Sequence, residues 1–310
     1  MAFVTITKGN IPDSIMPRLA AVALNTLLAN CVMPRLVTLG QDVGNVARTK
    51  GDMIKVLRPA TLIAEDKSES AEYTFEDPAD ALITVCLDKH KSAAVRLSGP
   101  ASTYQEGNAL DRYAEEIGRA LAVQVDTDLL GQYISCGFFA GTYGVAFGDA
   151  AVMAARLALS NAEAPTSDRF CVLHPDIYNE ALGVDDYIEA AKCGTGAALI
   201  QGALGMCRGF QMFEDPRVIR TTSSGGSRWH NLVFHRSALM LAAASMEMPP
   251  ANTGVQASEV AVSDSEGRPT GIRIRMCLSY SHEKDAWQLS GDILYGVSAL
   301  RAELLGCFRR

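Results

Sequence analysis

Apolar residues recur with a helical period from Asn108 to Ile134. Leu110, Tyr113, Ala114, Ile117, Ala120, Leu121 and Val125 lie on one stripe, and Leu129, Leu130, Tyr133 and Ile134 extend it. Asn108, with Asp111 three residues on, is placed to cap the first turn, and Asp111, Glu115 and Glu116 sit where the helix dipole favours acids. At about 1.5 Å per residue such a helix spans roughly 40 Å. A helix of that length is expected to be the axis on which other elements are hung.

Two other stretches have a period of two. Met53–Pro59 reads as a strand, and a polar acidic run (AEDKSESAEYTFEDPAD, residues 64–80) follows it. Then Ala81–Ser98 alternates: Ile83, Val85, Leu87, Ala93, Val95 and Leu97 point one way, and Thr84, Asp88, His90, Ser92, Arg96 and Ser98 the other. As one strand it would reach about 55–60 Å at roughly 3.3 Å per residue. A two-stranded ribbon of that length cannot bury itself, so it needs a neighbour, and the simplest is another copy of the chain. After Met248-Pro249-Pro250 the alternation returns. Glu259–Val262, Gly271–His282 and the run carrying Trp287, Leu289, Ile293, Tyr295 and Val297 read as an antiparallel meander with one wet face.

Between these stretches the pattern is mixed. Ile15–Leu28 is helical, but residues 1–45 as a whole read as an arm, because they offer no second apolar face to pack on. Asp149–Leu159 is a core helix, Arg169–Leu173 a buried strand, and Pro175 opens a helix through Leu182. Ala197–Leu204 is apolar, Gly209–Phe213 a short strand, Thr221–Ser227 a flexible loop, and Asn231–Ala244 a strand followed by an apolar segment. The closing LRAELLGCFRR is apolar again.

Composition narrows the function. In 310 residues, 48% hydrophobic and 20% charged is a globular balance with room for a large core. A net charge of −7 argues against gripping nucleic acid by sequence, but not against enclosing it, since like charge prevents sticking. No secretory signal is apparent, and no apolar run reaches the length of a membrane span, so no membrane association is expected. Eight cysteines show neither C-x-x-C nor zinc spacing, and most are expected to be reduced, buried thiols.

Catalytic and cofactor signatures are missing. His230 and His235 are five apart with no H-E-x-x-H, and Ser223-Ser224-Gly225-Gly226 has no Walker lysine. No G-x-S-x-G occurs, and no spacing supports a Cys193–His174 nucleophile pair. No catalytic residue, metal site or cofactor is expected. Cys86 alternates out of phase with Ile83, Val85 and Leu87, opposite the apolar side of the ribbon. Cys86 or Cys31 is therefore a candidate for a disulfide to another copy, against the plainer expectation of a thiol packed beneath a subunit.

The order of parts is arm, extended loop, long helix, α/β domain and late meander. With QVDTDLLGQYI, RFCVLHPDIYNEAL, GALGMCRGFQMFEDPRV, HNLVFHRSALMLA and GDILYGVSALRAELLGCF, it resembles the major capsid proteins of tailed double-stranded DNA bacteriophages, with the Hong Kong 97-type fold. The resemblance implies an α+β chain divided into an N-terminal arm (1–45), an extended loop (46–105) and a peripheral domain with the spine helix (106–144). It further implies an axial domain (145–250), peripheral-domain strands (251–297) and a C-terminal return to the axial domain (298–310). It implies self-assembly as hexamers and pentamers into an icosahedral shell that encloses DNA without sequence-specific binding. A separate scaffolding protein, a portal protein and a decoration or cement protein are the implied partners, with assembly in the host cytoplasm and residence in the virion. The loop face carrying Met53, Ile54, Val56, Ile83, Val85 and Leu87, with Lys89 and Lys91, is expected to meet a neighbouring subunit. Some relatives weld subunits by a lysine–asparagine bond; no acceptor matches Lys89 or Lys91 here, which favours plain surface charge. The alternatives are an encapsulin-like nanocompartment shell and a soluble oligomeric enzyme.

Overall fold

A computed structural model describes residues 15–40, 53–58, 81–98, 109–184, 204–223, 226–250, 254–263 and 269–309. The acidic run 64–80, Asn108, Cys193 and most of the apolar stretch 197–204 lie outside the described residues.

Helix α1 (Ile15–Asn30) buries Met16, Leu19, Ala20, Ala23, Leu24 and Leu27. A short turn leads to β1 (Thr38–Leu39). Strand β2 (Met53–Arg58) pairs antiparallel with β3 (Ala81–Cys86) as a two-stranded ribbon, and β4 (Lys89–Ser98) follows. Helix α2 (Ala109–Leu130) is the long element, prolonged by a single 3₁₀ stretch, Gly131–Ser135. Strand β5 (Phe138–Ala140), α3 (Asp149–Asn161), β6 (Arg169–Leu173) and α4 (Pro175–Leu182) come next. His174 caps α4 by accepting from the Asp176 amide, with Pro175 in the first turn, where its missing N–H costs nothing. The rest is almost all strand: β7 (Met206–Cys207), β8 (Phe210–Glu214), β9 (Arg220–Ser223), β10 (Gly226–His235), β11 (Leu239–Ala244), β12 (Val255–Ser263), β13 (Pro269–Ser281), β14 (Ala286–Ala299) and β15 (Leu305–Arg309).

Two sheets organise these strands. The first runs β1-β11-β14-β13-β12, with β4 also paired to β14; the second runs β5-β15-β10-β6-β8-β7, with β9 on β10. The chain passes from the second sheet to the first between β10 and β11, and returns through the turn before β15, which pairs with β10 and β5. Helices α1 and α2 cover the first sheet. Ile272, Ile274, Met276, Leu278 and Leu289 project beneath them and are buried. The helices cross closely because Gly118 has no side chain. A Cβ there would lie 2.3 Å from the Ala23 carbonyl oxygen. The Arg18–Asp111 ion pair, at 2.7 Å, ties their far ends.

Four expectations change. Residues 15–40 are core rather than a detached arm, because the apolar face of α1 is matched by that of α2. The alternating run Ala81–Ser98 is two strands: its first half pairs with β2, and its second half joins β14 in register Ser98↔Ala286 to Lys89↔Tyr295. The inward phase survives the break, since Val85, Leu87 and Leu97 are all buried. The ends of Thr221–Ser227 are paired strand and not loop, with Thr221 opposite Arg228 and Ser223 opposite Gly226. On the long helix Ala120 faces outward and Ala122 inward, and Ile134, on the 3₁₀ stretch, is 79% exposed.

Candidate functional site

The ribbon and the long helix hold the residues singled out above. Met53 stands 57% exposed, Ile54 and Val56 are half-buried against the chain, and Ile83 is half-buried. Val85 and Leu87 are buried with Met240, Ala242 and Ala244, so their apolar surface is spent inside the chain rather than offered to a neighbour. Leu82, not singled out by the sequence, is 60% exposed on the opposite side of β3. The root of the ribbon is fixed by Gly296: a Cβ there would meet the Cys86 carbonyl oxygen at 2.1 Å.

Lys89 and Lys91 reach inward to one acid. Their Nζ atoms lie 3.6 and 3.8 Å from the Asp128 carboxylate on α2, which also accepts from the Tyr295 hydroxyl at 2.6 Å. The polar middle of the extended run thus belongs to a contact with the chain's own long helix. These pairs are partly exposed and modest in energy. Nearby, Arg275 grips Asp292 through Nε and Nη2, and His90 lies 3.3 Å from the same carboxylate.

The two candidate thiols differ. Cys86 is exposed. Cys31 is buried, its thiol donating to the Ala122 carbonyl at 3.7 Å, and burial together with nearby Asp126 pushes its pKa well up. It is therefore a closed-off neutral thiol and not one positioned for a neighbour.

A cluster that sequence reasoning missed lies beside Cys31. Asp126, fully buried on α2, accepts from the Val32 and Met33 amides at 3.0 and 3.1 Å and from Arg217 Nη1 at 2.5 Å. Arg217 Nη1 also donates to the Asn30 carbonyl at 3.0 Å, and the Arg217 amide to Asp215 Oδ1 at 2.9 Å. Asp215 is fully buried too, and its Oδ2 has no hydrogen-bond partner among the described residues. Burial pushes the Asp126 carboxyl up to about 7, against the opposing pull of the Val32 amide and Arg217, while Asp215 adds to the rise. Burial also raises Asp215. The cluster joins the end of α1, the long helix and the turn after β8, so it locks the helical layer to the second sheet. Its signal was the acid at position 126, which follows Ala122 by four residues on the buried face.

Among the described residues the catalytic candidates do not assemble, and Cys193 of the Cys193–His174 pair falls outside them. His174 caps its helix and stacks on Trp229, with ring centres 3.5 Å apart. His230 stacks on Tyr133 and shares a 2.8 Å hydrogen bond with Thr221. His235 bonds to Ser237, and burial lowers the pKa of all three imidazoles. Among the described residues no group of three or more His, Cys, Asp or Glu side chains is placed to hold a metal. No described helix is long and apolar enough to cross a membrane.

Comparison with known proteins is carried by structure alone. No family model matches the chain, and no curated protein matches its sequence. Solved structures do. A chain from Mycobacterium phage Che8 superposes with a TM-score of 0.62 at 16% identity over 90% of each chain. The capsid of cyanophage P-SCSP1u gives 0.58 at 15% identity, over 99% of this chain and 92% of that one. The mature capsid of bacteriophage PhiM1 gives 0.59 at 12% identity, over 98% and 90%. The chain has the Hong Kong 97-type capsid fold. The superposition runs through nearly all of the chain, not through one domain of it.

Proposed function

We propose that the chain is the major capsid protein of a tailed double-stranded DNA phage. Many copies form hexamers and pentamers and close into an icosahedral shell around the genome. The observation that carries this reading is the superposition of 90–99% of the chain on phage capsid subunits. The role is structural, and its mechanism is burial. The ribbon presents Met53 and Leu82 to solvent on a stem fixed from beneath by Val85 and Leu87, which suits a limb that covers a neighbour. Obligate interfaces of this class bury roughly 2,000 Å² or more, and at about 25 cal/mol per Å² of apolar area many modest contacts sum to a durable shell, less the ordering costs.

A separate scaffolding protein directs assembly in the host cytoplasm, a portal protein occupies one vertex, and a decoration or cement protein binds outside. DNA is enclosed without sequence-specific contacts, in keeping with the net charge of −7. The test is negative-stain electron microscopy of the purified full-length chain, alone and with the scaffolding protein, followed by extraction of the contents. Closed shells holding genome-length DNA after phage infection are expected. Shells holding a cargo enzyme would reassign the chain to a nanocompartment, and small uniform oligomers in every condition would overturn the shell.

A further inference from the structure

Two arginines at one end of the second sheet lie on aromatic rings. The Arg228 guanidinium lies 4.2 Å from the centre of the Tyr143 ring, and the Arg309 guanidinium lies 5.6 Å from that ring and 3.7 Å from Phe139. The result is an alternating ladder, Arg228–Tyr143–Arg309–Phe139, with Phe139 48% exposed at its edge. Among the described residues no carboxylate pairs with Arg228 or Arg309, in a chain whose net charge is −7. Their field is felt locally: after burial itself, the two guanidiniums are what lower the pKa of His230. A guanidinium lying on a ring is fixed in orientation, and its outer edge is left for a planar acid.

Arg309 also lines a cavity of about 250 Å³ with Val145, Phe147, Ala151, Ala154 and Phe308. The cavity is mostly apolar, and Val145 at its rim is 59% exposed. An apolar hollow with one cation, Arg309, in its wall and a second, Arg228, across the Tyr143 ring from it suits a peptide with an aromatic side chain flanked by carboxylates.

The chain contains such a peptide. Between β2 and β3, residues 64–80 carry seven carboxylates and one lysine, and within them Glu72, Glu76 and Asp77 flank Tyr73 and Phe75. We propose that the cavity and the adjoining arginine ladder receive residues 72–77 of a second copy of this chain, with Tyr73 or Phe75 in the hollow and the flanking carboxylates on Arg309 and Arg228. The inference rests on the self-assembly reading above. It names the receiving surface for the tip of the extended loop.

The test uses the full-length chain with p-benzoylphenylalanine at Phe75, mixed with nitrogen-15-labelled unsubstituted chain, irradiated under assembly conditions and mapped by mass spectrometry. Crosslinks from the substituted chain to labelled peptides containing residues 139–148 or 308–309 are expected. They should fall at least tenfold when the labelled chain carries Arg228→Glu and Arg309→Glu. They should largely survive Arg228→Lys with Arg309→Lys, and circular dichroism checks that all variants fold. Crosslinks within one chain only, crosslinks elsewhere, or indifference to charge reversal would overturn the contact. Retardation of duplex DNA by the unassembled chain that the double reversal abolishes would assign the arginines to phosphate and also overturn it. Shells in the microscope without this crosslink would overturn the contact and leave the capsid reading standing. The crosslink in small oligomers would uphold the contact and overturn the shell, and absence of both would overturn both.

Discussion

In the meander β12–β14, Ile272, Ile274, Met276, Leu278 and Leu289 are buried under α1 and α2; in the ribbon β2–β3, Met53 and Leu82 stand more than half exposed. Both regions are antiparallel and both alternate in period two. What differs is what lies above them. The meander is covered by two helices of its own chain. Among the described residues the ribbon is covered on one side, where Val85 and Leu87, with half-buried Ile54 and Val56, rest on Met240, Ala242 and Ala244. A strand pattern therefore specifies a face but not the owner of the surface that will cover it. On the function proposed above, subunit stability is expected to reside in the meander and its helices, and capacity for assembly in the ribbon.

This division can be broken by mutation, with the largest loss of subunit stability expected at the helix crossing. Gly118→Val places a side chain against the Ala23 carbonyl, 2.3 Å from its Cβ, and forces α1 off α2. A loss of about 3 kcal/mol or more is expected in urea unfolding. An unchanged midpoint would mean that the helical layer does not carry the stability.

Asp126→Ala comes next. It leaves Arg217 and two buried amides without their acceptor, at an expected cost of about 3 kcal/mol. The pH dependence sharpens this test. The folded carboxyl titrates near 7 against a reference of 3.8, so the folded chain holds the proton more tightly. The resulting contribution to stability is complete below about pH 4 and is lost as the pH rises through about 7. Denaturation between pH 5 and 8 should therefore show a smaller fall for Asp126→Asn than for the parent chain. Equal slopes would remove Asp126 from the account.

Lys89→Met with Lys91→Met removes two partly exposed pairs to Asp128, and a loss of about 0.5–1 kcal/mol is expected by thermal unfolding. Smallest in stability is the removal of residues 64–80. The unfolding free energy should move by no more than about 0.5 kcal/mol, while the particle yield counted by microscopy should collapse. Normal particles from that deletion would erase the distinction between ribbon and meander.

Much of the fold was legible in the sequence. The stripe on α2 and the alternation of β12–β14 are long, regular signals set by burial on one face. The inward phase of Val85, Leu87 and Leu97 could be read, but the break between β3 and β4 could not. It depends on β14 offering a partner to the second half of the run, a contact between residues some 200 positions apart. The packing of α1 was missed for a similar reason, since its partner face lies on α2. The ionic cluster is harder still. Asp126, Asp215 and Arg217 look like ordinary surface residues until the end of α1 supplies the Val32 and Met33 amides that make Asp126 a buried acceptor. The Arg228–Tyr143–Arg309–Phe139 ladder draws on three separate segments, and no local period announces it.

The most direct measurement is a cryo-electron microscopy reconstruction of the particle formed by the full-length chain. The account predicts density for β2–β3 lying across a second subunit, with Met53 or Leu82 covered by that neighbour and α1, α2 and the meander unchanged. A ribbon that projects into solvent, or folds back wholly on its own subunit, would contradict it.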